Sequence, residues 1–291
     1  MARWTGFAAL DWSGAVGERH RGIAVATCRP GNEAPKLVTH LRGWSRSEVL
    51  DWLVRKTASG AWLVGFDFSP ALPFVDLNAY FPGWPDGPAD ARTLWRFVEQ
   101  HCAHEPHLAA ASFADNAELS RYYRRQGKGT GDLFGTTGAG RLRVTERAQR
   151  NDPALPNPSS CFNLVGAAQV GKASLAGMRW LGRLNDRLPV WPFDPQPEHG
   201  SCLVEIYTSI AARSAGVRGG TKMRDAGSLD RALAVLGSQS HAALSRYDDH
   251  ATDALLSAAW LRNVADEPGL WSPPRLTPEI ARTEGWTFGV P

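Results

Sequence analysis

Hydrophobic positions along the chain change their period several times, and each change marks an element. Residues 7–11, Phe-Ala-Ala-Leu-Asp, are an apolar run that ends on a carboxylate and breaks into the turn signal Trp12-Ser13-Gly14. Residues 22–28 and 36–41 are two more apolar runs, joined by short Gly-, Pro- and Asn-bearing connections that favour an antiparallel meander. Ser45-Arg46-Ser47-Glu48 has the form of a capping box, and Val49, Leu50, Leu53 and Val54 follow on one helical face until Gly60. Residues 61–67 read as a fourth strand that again closes on an acid, Asp67. A helix between strands three and four lets strand four return parallel to strand one. Asp11 and Asp67 are then expected at neighbouring C-terminal strand ends, the edge where open α/β sheets place their sites.

The middle of the chain is less regular. Residues 68–88 are rich in Pro, Phe and Trp and predict a packed loop, while residues 90–104 and 114–126 carry helical spacing. Residues 127–160 hold six glycines and then a Pro/Asn/Ser run, a loop expected to be either functional or disordered. Residues 173–188 predict a helix with Leu175, Met178, Leu181 and Leu184 on one stripe. A Pro-rich linker at 189–198 leads to a fifth strand at 201–207 bearing Glu205, and helices follow at 228–238 and 246–264. The pattern implies one α/β domain over residues 1–291: a mixed five-stranded sheet with flanking helices and a helical and loop insertion at about 68–198.

Composition excludes several classes. A hydrophobic content of 43% and a charged content of 21% are those of a globular protein. No apolar run approaches the ~20 residues of a membrane span, and the first six residues lack a signal-peptide core. Cys28, Cys102, Cys161 and Cys202 form no CxxC pair, so neither a disulfide framework nor a cysteine zinc site is indicated. A cytoplasmic protein without a membrane partner is expected. The net charge of +3 does not itself point to nucleic acid, but residues 121–150 hold eight basic side chains against Asp132 and Glu146, a surplus of six. Arg124, Arg125, Lys128, Arg141, Arg143 and Arg147 are therefore candidate phosphate contacts for a nucleic-acid partner. A mobile insertion kept soluble by its arginines has the same composition. His101, His104 and His107 cluster around Cys102, but Pro106 breaks the helix there, and an exposed helix end is the simpler reading.

The last helix opens Tyr247-Asp248-Asp249-His250-Ala251-Thr252-Asp253. Asp249 and Asp253 are i, i+4 and His250 and Asp253 i, i+3, so all three heads share the first turns. N-capping and the helix dipole explain Asp248 and Asp249. They explain Asp253 badly, because it lies a turn further in, against the stripe of Ala254, Leu255 and Ala258. Asp11, Asp67, Glu205, Asp249, His250 and Asp253 are thus the candidate catalytic set, with Asp11, Asp67, Glu205 and Asp253 as hard oxygen ligands suited to Mg²⁺ or Mn²⁺.

Five short motifs carry a resemblance in order: Leu10-Asp11-Trp12, Phe66-Asp67-Phe68-Ser69-Pro70, Glu205-Ile206-Tyr207, Asp253-Ala254-Leu255 and Glu284-Gly285-Trp286. Together they resemble a predicted-nuclease family of the RNase H-like superfamily, domain of unknown function 429, and the last helix resembles that of RuvC-type Holliday junction resolvases. Thr208 stands where that family usually has Pro, and Ser69 intrudes before Pro70. The resemblance implies an RNase H-like fold and a divalent-metal-dependent nuclease that hydrolyses phosphodiesters. The alternatives are an ATP-dependent small-molecule kinase of the actin-like superfamily, whose first strand also ends in Asp before a Gly turn, and a catalytically silent nucleic-acid-binding protein.

Overall fold

The computed structural model describes residues 3–135, 138–166, 169–219 and 221–291. Strands β1 (Gly6–Asp11), β2 (Ala24–Cys28) and β3 (Lys36–Leu37) form the antiparallel meander, with Phe7 opposite Cys28 and Asp11 opposite Ala24. Helix α1 (Arg46–Thr57) starts at the capping box, where the Ser45 side chain accepts from the Glu48 N–H and Glu48 reaches back to the Ser45 N–H. It returns the chain to β4 (Trp62–Phe66), parallel to β1 with Leu10 paired to Phe66.

The insertion follows. It contains α2 (Ala91–Cys102), three 3-10 turns at Pro106–Leu108, Ser112–Asp115 and Leu119–Tyr122, and a small hairpin of β5 (Arg124–Arg125) and β6 (Gly129–Thr130). It continues through α3 (Val144–Asn151) and α4 (Val170–Leu184). Two expectations change here. The helical spacing over 114–126 resolves into short 3-10 turns, because Asn116 side-chain capping interrupts the run between them. The stretch 127–160 is largely ordered: it supplies half of a hairpin and a buried-faced helix, although residues 136–137 within it lie outside the described residues.

Two parallel strands complete the sheet, β7 (Val190–Trp191) and β8 (Cys202–Glu205), giving the order β3-β2-β1-β4-β8-β7. The sheet thus has six strands rather than the five expected. The sixth hides in the Pro-rich 189–198 segment, where two residues are too few to show a period. The chain then runs through α5 (Thr208–Ser214), α6 (Ala226–Val235), α7 (Asp249–Val264), α8 (Pro268–Trp271) and α9 (Pro278–Thr283).

Both faces of the sheet are covered, which is why β1, β4 and β8 are buried along their whole length. Ala8, Leu10, Val64 and Phe66 pack with α1, α2 and α4 on one face. Phe7, Ala9, Leu63 and Val204 pack with α5, α6, α7 and the Trp271, Trp286 and Phe288 rings on the other. Gly65 lets α7 approach: a Cβ there would stand 2.6 Å from Ile206 and 2.9 Å from Leu261. The C-terminal segment is stitched to the insertion by the buried Glu284 carboxylate, which accepts from the N–H groups of Phe74 (2.7 Å), Val75 (2.9 Å) and Val144 (2.5 Å). Among the described residues no helix is long and apolar enough to cross a membrane.

Candidate functional site

Parallel pairing of β1 with β4 brings Asp11 and Asp67 to the same C-terminal edge, where the Asp67 N–H donates to the Leu10 carbonyl at 2.9 Å. Helix α7 packs across β1 and β2, and its first turns carry His250 and Asp253 to that edge. His250 Nδ1 meets the Asp11 carboxylate at 2.5 Å, with the imidazole 46% exposed and Asp11 almost wholly buried. The ring passes over Gly22, where a Cβ would lie 3.3 Å from it. Asp67 receives the Thr208 hydroxyl at 3.3 Å from the start of α5. Asp253 makes no side-chain hydrogen bond among the described residues.

The electrostatics follow from this crowding. Burial pushes the Asp11 carboxyl up, against the lowering pull of His250, and Asp248 and Asp249 add to the rise. Burial raises Asp67 well above the ordinary range, and Asp11 and Asp253 raise it further. Asp253 is pushed up to about 7, first by burial and then by the charge of Asp11. His250 moves up because its bond to Asp11 favours the imidazolium. Three carboxylates therefore sit close enough to raise one another, with the imidazole of His250 on Asp11.

They do not form a closed shell. Among the described residues no three His, Cys, Asp or Glu side chains converge as a ready-made metal site. Asp67 opens onto a cavity of about 830 Å³ on the insertion side, and Asp253 onto a neighbouring depression of about 160 Å³.

Two of the predicted site residues belong elsewhere. Glu205 is not a member of the cluster: the buried Arg143 guanidinium grips it at 2.5 and 2.9 Å, and the Thr287 hydroxyl donates to it at 3.1 Å. It shares this one guanidinium with Glu146, and burial pushes its carboxyl up despite the pair. Asp249 is drawn to the surface by Lys222 at 2.7 Å and Arg224 at 2.9 Å, which also hold its carboxyl below the usual range against the effect of burial.

The basic stretch is corrected more thoroughly. Arg143 also binds Glu146 at 3.0 Å and the Ser69 hydroxyl at 3.1 Å. Arg141 is buried, paired with Asp76 at 2.7 Å and donating to the carbonyls of Pro73, Ala79 and Tyr80. Arg147 is tied to the Leu142 carbonyl. Arg125 and Lys128 both face Asp115, at 3.5 and 2.6 Å, and Arg121 pairs with Asp132 at 2.7 Å. Among the described residues, Arg124 alone of the six candidate contacts is exposed without such a partner, its backbone bonded to Phe162 and Leu164. Acids from outside the stretch, Asp76, Asp115 and Glu205, pair with four of its cations, Arg125, Lys128, Arg141 and Arg143, so half of the stretch's basic side chains tie the insertion to itself and to the sheet. At the histidine cluster, His101 Nδ1 bonds the Phe97 carbonyl at 2.8 Å and Cys102 is buried, as an ordinary helix end requires.

Four residues near the edge were not singled out as site candidates by sequence. Arg46, fully buried, donates to the carbonyls of Ser13 and Ala15 at 2.7–2.8 Å and so fixes the turn after β1; burial pushes it down to about 10. Thr208 is marked in the sequence only by its departure from the Glu-x-Tyr-Pro pattern. Gln149 and Lys172 line the larger cavity, and neither sits in a motif. No family model, no curated protein and no solved structure matches the chain.

Proposed function

We propose that this chain is a divalent-cation-dependent phosphodiesterase of RNase H-like architecture, with Asp11, Asp67 and Asp253 as the carboxylates that would hold Mg²⁺ or Mn²⁺. The observation that carries the reading is Asp253, pushed up to about 7 beside two other raised carboxyls and left without a hydrogen-bond donor. A half-buried carboxylate whose ionisation is opposed by burial and by neighbouring acids gains from a counter-charge, and perturbed carboxyls grouped beside a cleft are the pattern of a functional-site candidate. The donors are hard oxygens on rigid elements, but among the described residues they are not closed into a ready-made shell, so a hard cation would take only one or two of them directly and keep several of its waters. The strand order through β3-β2-β1-β4 and the closing helix over β1 support the fold that the five motifs imply.

When bound, such a cation supplies Lewis-acid stabilisation of phosphate oxygens and a more acidic water. The chain's own residues do the rest. Asp11 and Asp67 orient from adjacent strands, and Thr208 fixes the Asp67 carboxylate. Asp11 holds the imidazole by Nδ1, leaving the half-exposed ring to pass a proton to or from water. Polymeric nucleic acid is the substrate that the resemblance implies, but the 121–150 stretch lends it no support. Melting the protein with and without Mn²⁺, and assaying hydrolysis of bis(p-nitrophenyl) phosphate and of labelled DNA and RNA, tests the reading. Mn²⁺ should stabilise the wild type and not Asp67→Asn, and any turnover should vanish with Asp67→Asn or Asp253→Asn. Equal response of all three proteins to Mn²⁺ would sink it.

A further inference from the structure

The segment that joins α5 to α6 carries charge that the fold leaves largely unmatched. From Ile206 to Arg224 the chain holds Arg213, Arg218, Lys222 and Arg224 and not one Asp or Glu. All four are exposed. Arg213 donates to the Pro153 carbonyl at 3.1 Å, a neutral acceptor that leaves its positive charge unmatched. Lys222 and Arg224 share a single acid, Asp249, at 2.7 and 2.9 Å. Arg218 has no carboxylate partner among the described residues. The next acid along the chain, Asp225, is turned to its own helix, where it caps the Ser228 N–H at 2.9 Å. The 121–150 stretch differs, because there four of the cations meet acids from elsewhere in the fold.

These cations gather at the carboxylate cluster. Arg213, Arg218 and Lys222 line the depression of about 160 Å³ together with Asp249 and Asp253. Lys222 stands near enough to Asp253 to pull its carboxyl down against burial. Counting Arg224 on Asp249, four cations face two acids, a surplus of two with both acids ionised and of three with Asp253 protonated. Like charges held on one short loop repel, and an anion laid among them relieves the repulsion. The depression is smaller than the roughly 300–1,000 Å³ of small-molecule sites. Arg224 stands outside it, on the other oxygen of Asp249 from Lys222. The charge therefore suits a chain of phosphates along the loop, with one of them seated in the depression.

From these observations we infer that the α5–α6 segment is a nucleic-acid-binding surface: Arg213, Arg218, Lys222 and Arg224 hold a strand by its phosphates, without regard to sequence, and lay one phosphodiester against Asp253. The choice of nucleic acid among polyanions rests on the phosphodiesterase reading; the unmatched charge and its place do not. The strand approaches the sheet edge from the side of α5, α6 and α7 and not along the insertion.

Fluorescence anisotropy of the whole chain with labelled single-stranded DNA, single-stranded RNA and duplex DNA, in EDTA and over a NaCl series, tests this. At least one should bind at low salt, with a log–log slope of about −2 to −4, at ~0.7–0.9 for each phosphate neutralised. The double variant Arg218→Ala, Lys222→Ala should weaken binding to every sequence about tenfold or more and flatten the slope by roughly 1.4–1.8. Arg218→Lys, which keeps the charge, should keep the wild-type slope. Arg124→Ala, in the insertion hairpin, should bind as the wild type does. Arg218→Ala alone carries the test if the double variant melts early, because Arg218 is exposed and holds no other side chain. The inference is overturned if none of the three nucleic acids binds, if the double variant binds like the wild type, or if Arg124→Ala loses more affinity than the double variant. With no metal present, such a failure leaves the carboxylate reading to its own Mn²⁺ test, and an absent Mn²⁺ response beside salt-dependent binding removes the phosphodiesterase and leaves the surface standing.

Discussion

Replacing Asp253 with Asn isolates the cost of the carboxylate cluster. The side chain keeps its shape and loses only its charge. Folding holds the carboxyl protonated up to about 7, against an ordinary value of 3.8. At ~1.4 kcal/mol for each tenfold change in proton affinity, ionising it in the folded state costs up to ~4 kcal/mol. Part of that is recovered by relaxation and water, so a gain of ~1–3 kcal/mol for Asp253→Asn at pH 8 is the working figure. At pH 5 the wild-type group is already neutral in the fold while the unfolded chain is ionised, and the gain should shrink towards zero or reverse. Urea denaturation at the two pH values measures both numbers. The same experiment with Mn²⁺ should reverse the order at pH 8: the wild type gains by RT ln(1 + [L]/Kd) and the variant, lacking a ligand, gains less. A variant destabilised by the same amount at both pH values, with an undiminished Mn²⁺ response, would refute the reasoning and make Asp253 a structural residue.

Three further outcomes are expected. Stability without metal should fall as pH rises from 5 to 8: the Asp253 contribution is lost between 3.8 and about 7, and that of His250, whose value is raised by Asp11, is complete below 6.5 and lost as pH passes the raised value. A denaturation series in which stability rises steadily over that interval would contradict it. Arg143→Met should destabilise by ~3–5 kcal/mol, because Glu205 and Glu146 are left buried without their cation, whereas Glu205→Gln should weaken the fold yet keep the Mn²⁺ response; loss of that response would restore Glu205 as a ligand. Glu284→Ala should cost at least ~3 kcal/mol in urea denaturation, since three backbone N–H groups lose a charged acceptor in the core, and a loss below ~1 kcal/mol would show that water or neighbouring groups replace it.

Much of the scaffold was readable in the chain. The capping box at Ser45 and Glu48, the apolar run that ends at Asp11, its counterpart ending at Asp67 and the first turns of α7 are all local patterns. Their geometry follows from covalent spacing, 3.6 residues a turn in a helix and two in a strand, so the chain states it directly. Pairing β1 with β4 needed only the helix between strands three and four, and that placed two of the three clustered acids. Asp253 was legible because an acid deep in an apolar helical stripe breaks a local rule.

What stayed hidden depends on partners brought from far along the chain. Eight basic residues within thirty look like a charged arm until Asp76, Asp115 and Glu205 arrive to pair with four of them, Glu205 lying 62 residues beyond Arg143. Glu205 ends a strand as Asp11 does, and only the docking of Arg143 decides that it is an ion-pair partner and not a ligand. The same holds for Glu284, 210 residues from the Phe74 N–H it caps, and for β7, a two-residue strand defined wholly by the neighbour it lies against. The cavity beside Asp67 is bounded by segments from β1 to the C-terminus, so no window of sequence contains it. Periodicity determined which residues face inward; tertiary packing alone decided which inward charges meet a counter-charge and which are left for something else to bind.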